Sequence, residues 1–71
     1  MRNIIRTFCS KTHGSKNVVN MAKAVKLLAG MVDEERFLGL IHRLELTVDD
    51  PEVVEWLDRL RFAIINEEVE A

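Results

Sequence analysis

The sequence predicts an all-α fold: a small bundle of three main helices with a short basic N-terminal helix or arm. Three observations predict it. Apolar residues recur at helical spacing over most of the chain. One proline and three glycines are too few for a many-turned β domain. Helix-start signals stand just before the later apolar stripes.

Met1 to Cys9 opens the chain. On a helical wheel Met1, Ile4, Ile5 and Phe8 fall on one side, with Arg2, Arg6 and Ser10 on the other. The same residues fit a strand, with Ile4, Arg6 and Phe8 on one face and Ile5, Thr7 and Cys9 on the other. A helix is the preferred reading. Residues 10–17 are polar, contain Gly14, and read as a loop. Residues 1–17 are thus a basic segment and loop, and residues 18–71 the helical bundle of a single domain.

The first main helix is expected over residues 18–29. Ser15 or Asn17 can cap it by accepting from free first-turn N–H groups. Val18, Met21, Ala22, Val25, Leu28, Ala29 and Val32 share a face, with Lys23 and Lys26 opposite. Gly30 stands where a C′ glycine would end the helix.

The second is expected over residues 33–46. Asp33 is a fair N-cap, and Glu34 and Glu35 put negative charge where the helix dipole favours it. Phe37, Leu40, Ile41 and Leu44 follow the i, i+3, i+4, i+7 pattern. If the two helices were continuous, the apolar stripe would rotate by more than half a turn. A break near Gly30 to Val32 follows.

The third, over residues 50–66, has the clearest start. Asp50 is the N-cap, Pro51 sits at N1 with no N–H to leave unpaired, and Glu52 and Glu55 suit the dipole. Val53, Trp56, Leu57, Leu60 and Ile64 form one apolar face. A second stripe holds Val54, Phe62, Ile65 and Val69. One face satisfies a surface helix; two imply two neighbours, inside the bundle or across a dimer. The expected core is Val25, Leu28, Phe37, Leu40, Ile41, Leu44, Val53, Trp56, Leu57, Leu60 and Ile64.

Seventy-one residues make one small domain. A chain of this size buries only about 60% of its unfolded surface, so it gains from a supplement. Its single cysteine, Cys9, excludes an internal disulfide. Partner association is the remaining supplement. No apolar run approaches the roughly 20 residues of a membrane span, so no transmembrane segment is expected. The N-terminus lacks the apolar core of a secretory signal. Its Arg2, Arg6, Lys11 and Lys16, among Thr7, Ser10, Thr12 and Ser15, share the bias of a transit peptide, but read first as a basic arm. A cytoplasmic location is expected.

Charge is divided along the chain. Residues 1–32 carry Arg2, Arg6, Lys11, Lys16, Lys23 and Lys26 and no acid, a charge of +6. Residues 33–71 carry twelve acids against Arg36, Arg43, Arg59 and Arg61, a charge of −8. The simplest expectation is that the halves neutralise each other, within the chain or between copies. Otherwise the basic half meets an anion and the acidic half a basic partner.

Catalytic and metal chemistry find little support. Cys9, His13 and His42 are a poor ligand supply for zinc, which takes three or four. Cys9 as a nucleophile would need a base such as His13 nearby. His13-Gly14-Ser15-Lys16 resembles a fragment of a phosphate loop without its preceding strand. The many carboxylates read as solvated faces and caps. No enzyme activity, cofactor or metal is expected.

The leading reading is a non-enzymatic protein-interaction or regulatory module that binds another protein or itself as a homo-oligomer. Its expected interface is Val54, Trp56, Arg61, Phe62 and Ile65, since aromatic and arginine residues commonly carry interface energy. The alternative is a small DNA-binding regulator, with Arg2, Arg6, Lys11, Lys16, Lys23 and Lys26 on phosphates. Two helices joined near Gly30 resemble a helix-turn-helix. A basic strand, two helices and an acidic tail resemble the ribbon-helix-helix antitoxins. That resemblance implies a DNA-holding basic part and a partner-holding acidic part. A third reading lays Met1 to Phe8 on a membrane surface.

Overall fold

The computed structural model describes residues 2–70, and the side chains of residues 3–66. Four helices follow one another: α1 (Arg2–Ser10), α2 (Lys16–Ala29), α3 (Glu34–Thr47) and α4 (Pro51–Glu70). The described residues are otherwise turns and short connections. The N-terminal segment is therefore a helix, and the strand alternative falls.

α1 turns its apolar side into the bundle. Ile5 is 1% exposed, and Ile4, Phe8 and Cys9 pack around the core. This orientation weighs against the membrane-surface reading of that helix, because Ile5 is enclosed and Ile4 and Phe8 pack against the core. α1 ends as the Thr12 hydroxyl donates to the Phe8 carbonyl (2.9 Å), satisfying an end-of-helix acceptor.

Ser15 is the cap of α2, accepting from the Val18 N–H at 3.3 Å. Asn17 does another job: its amide donates to Asp50 at 3.0 Å, joining the start of α2 to the start of α4. The helix begins at Lys16, slightly earlier than its apolar stripe suggests. At the other end Gly30 has φ −81°, a right-handed conformation, rather than the left-handed one of a C′ glycine. The Gly30 and Met31 N–H groups close tight turns on Leu27 and Leu28 (3.1 and 2.9 Å). The break arises from this 3₁₀-like tightening and from the new cap at Asp33, not from glycine's conformational freedom.

Asp33 accepts from the Arg36 N–H at 2.9 Å and starts α3 as expected. Asp50 accepts from the Glu52 N–H at 3.0 Å, with Pro51 at the first position of α4. α4 continues to Glu70, beyond the expected end at Asn66. The side chain of Val69, assigned to its second stripe, lies outside the described residues.

α3 and α4 form the most extensive pairing, and α4 also touches α1 and α2. The core unites Ile5, Val18, Ala22, Val25, Ala29, Phe37, Ile41, Val53, Trp56, Leu57, Leu60 and Ile64. Phe37, Ile41, Leu57 and Leu60 are wholly enclosed. Each such side chain contributes about 1.5–3 kcal/mol relative to exposure. Leu28, Leu40 and Leu44, expected inside, are half-buried. Small Ala22 and Ala29 lie in the core while the larger Leu27 stays out.

Candidate functional site

Three surfaces hold the residues singled out by the sequence. The first is the outer edge of α4. Phe62 is 64% exposed and Ile65 42%, on successive turns of that helix, with half-buried Val54 on the same side. Two ion pairs flank Phe62. Arg61 meets Asp58 at 3.2 Å, and Arg59 meets Glu55 at 2.7 Å. Both are exposed pairs, so each contributes little stability. Their effect is to place both signs of charge along the rim around Phe62.

Two expected interface residues are occupied within the chain. Trp56 is buried, its ring 5.7 Å from that of Phe8, and its indole N–H donates to Thr12. It is an internal anchor. Arg61 lies between α4 and α3, where its guanidinium reaches Glu45 (3.4 Å) and donates to His42 Nδ1. Glu45 is almost enclosed, and its Oε1 has no hydrogen-bond partner among the described residues. Arg61 therefore joins α3 to α4 as well as bordering the apolar edge.

The second surface is basic and lies between α1 and α2. Arg6, Lys23 and Lys26 line one groove of about 590 Å³ with Ile5, Leu27, Ala29 and Gly30. Among the described residues, every ion pair falls within α3 and α4. Direct ion pairing of the two charged halves within the chain does not occur there, which leaves the between-copies form of that expectation standing. Hydrogen bonds do cross between them, from Asn17 to Asp50 and from the Ser15 N–H to Glu52 (3.4 Å). Lys16 begins α2, and Lys16, Asn20, Lys23 and Leu27 follow an i, i+4, i+7, i+11 line along it. The Arg2 side chain lies outside the described residues.

The third is an open groove of about 670 Å³ between α1 and α4. Ile4, Phe8 and Trp56 are its apolar lining; Asn3, Thr7, Lys11, Thr12, His13 and Arg59 are its polar lining. Lys11 lines this groove and not the one lined by Arg6, Lys23 and Lys26.

Catalytic candidates are not assembled. Cys9 lines a small recess with Lys23 and Lys26, whereas His13 lines the α1–α4 groove. Burial pushes the Cys9 thiol above its ordinary pKa, against a smaller opposing pull from Lys26. A thiol so held is a poor nucleophile near neutral pH. Among the described residues, no group of three or more His, Cys, Asp or Glu side chains is placed to hold a metal ion. No described helix is long and apolar enough to cross a membrane.

Sequence reasoning missed Leu27, 73% exposed on the basic groove, and Met31, 79% exposed in the turn after α2. The available signal for Leu27 was its spacing of four from Lys23, which sets it on the lysine side of α2; Met31 lies past the end of that helix.

Comparison with protein-family models, curated proteins and solved structures finds no match to this chain.

Proposed function

We propose that this chain is a non-enzymatic interaction module that pairs with a second copy of itself through the outer edge of α4. The observation that carries this reading is the exposure of Phe62 and Ile65 on one side of a helix whose opposite side is fully used by the core. Covering them removes a large aromatic and a β-branched side chain from water. A second copy suits the edge electrostatically. The Asp58–Arg61 and Glu55–Arg59 pairs put both signs of charge along it, so two copies can meet with arginine opposite carboxylate. The α1–α2 surface, where Arg6, Lys23 and Lys26 have no ion-pair partner among the described residues, would repel its own copy.

Light scattering behind a sizing column tests the proposal. The expected mass rises toward twice that of the chain with concentration. Phe62→Ser and Ile65→Ser return it to the monomer without loss of helicity. A native chain that stays monomeric at high concentration overturns it. A heteromeric protein partner on the same edge would then be the surviving form of an interaction module.

DNA binding is the second reading, favoured by Arg6, Lys23 and Lys26, which have no ion-pair partner among the described residues. Two features weigh against the forms considered above. In a helix-turn-helix made of α2 and α3, the groove-entering helix would be α3, whose first turn carries Glu34 and Glu35. A ribbon-helix-helix would need a strand where α1 lies. Duplex titration at low salt tests this reading. Each neutralised phosphate should add about −0.9 to the log–log salt slope.

A further inference from the structure

Arg6, Lys23 and Lys26 converge on one side of the α1–α2 pair, with no carboxylate at ion-pair distance among the described residues. Leu27 stands four residues after Lys23 on the same line of α2, and Met31 four further on in the following turn. Both are among the most exposed large apolar side chains described. Leu27 lines the groove with these cations, and Met31 directly follows Gly30, which lines it too.

We propose that this end of α2 seats on an anionic membrane surface. Leu27 and Met31 enter the boundary between headgroups and acyl chains. Arg6, Lys23 and Lys26 meet the negative headgroups beside them. Charge complementarity selects an anionic occupant, and the shape of the apolar surface selects among anionic occupants. The buried floor of the groove, Ile5 and Ala29, is already closed, at 1% and 4% exposure. The apolar area still in water therefore projects outward, on Leu27 and Met31. A fluid interface can close around such projections, whereas a phosphodiester backbone offers them no apolar medium. An acidic peptide would need an open slot instead. The proposal is independent of pairing through α4, which lies on different residues.

The test sediments the full chain with vesicles of phosphatidylcholine alone and of phosphatidylcholine mixed with phosphatidylserine. The chain is expected to pellet with the mixed vesicles and remain in solution with the neutral ones, and added salt should weaken the attachment. Lys23→Gln and Lys26→Gln should each weaken it by about five-fold. Leu27→Ser and Met31→Ser should each weaken it by about ten-fold. All four side chains are exposed, so circular dichroism should show unchanged helicity. Absence of pelleting with the anionic vesicles overturns the proposal, as does pelleting that ignores Leu27→Ser and Met31→Ser. Retention on duplex DNA, or on an acidic peptide, without vesicle binding assigns the cations elsewhere and overturns it equally.

Discussion

The Trp56 indole N–H donates to the Thr12 hydroxyl over 3.0 Å, linking the middle of the first turns of α4 to the connection after α1. Thr12 passes the interaction on, donating to the Phe8 carbonyl, while the Phe8 ring lies against Trp56. One threonine thus serves a helix end and a part-buried indole together. Thr12→Val should cost about 1–2 kcal/mol, because it leaves the indole donor unpaired in a partly dry site. Urea unfolding followed by the fluorescence of the single tryptophan measures it. A loss below about 0.3 kcal/mol would show that water replaces the hydroxyl without cost.

Gly39 lies inside α3, and a methyl group built there meets no atom within 4 Å. Gly39→Ala should stabilise the chain by about 0.5–1 kcal/mol through helix propensity. Gly30→Ala should also be tolerated, since that glycine is right-handed and its added methyl would meet the Leu27 carbonyl at an ordinary 3.6 Å. Thermal melts of both variants check this. A strong loss at Gly30 would mean that its backbone needs a conformation closed to alanine.

Asp50 supplies the acid dependence of the α2–α4 junction. The Asn17 amide, then the Glu52 N–H, hold its carboxyl below the ordinary carboxylate pKa. Since the folded value is depressed, the stabilisation is present above the unfolded value of about 3.9 and is lost as pH falls through the folded one. Asp50→Asn should remove this contribution, so the variant loses less stability than the native chain between neutral and acid pH. Equal losses in urea titrations at the two pH values would show that Asp50 does not contribute.

Cys9 should react slowly with a thiol-modifying reagent at neutral pH. Burial disfavours its thiolate more than Lys26 favours it. Its raised folded pKa also means that stability falls as pH rises through the unfolded value of about 8.5 toward the folded one. Cys9→Ala should flatten that alkaline decline. Labelling as fast as that of an unstructured cysteine peptide would contradict the account of its surroundings.

The helices were legible because their signals are local. Asp33, Asp50 and Pro51 act within a turn of themselves, and Phe37, Ile41, Leu57 and Leu60 repeat at the period that makes one face. Partner choice is not local. Trp56 has the composition of an interface residue, but Thr12 and Phe8, far away in sequence, draw it inside. Arg61 likewise meets Glu45 and His42 only once α3 folds back on α4. The +6 and −8 halves suggested mutual neutralisation, yet helix pairing leaves Arg6, Lys23 and Lys26 together on their own side. The exposed Phe62 and Ile65 were visible as a second stripe because both faces of one helix can be read from spacing.

The central claim is that α4 divides its apolar residues between an inner face, which holds the four helices together, and an outer edge kept for a second copy. Amide chemical shifts recorded by NMR over a concentration series test it most directly. The expected result is concentration-dependent movement confined to the outer edge of α4, around Val54, Asp58, Arg61, Phe62 and Ile65, with α1 and α2 unmoved. Spectra that do not change up to the solubility limit, or changes centred on α1 and α2, would contradict it.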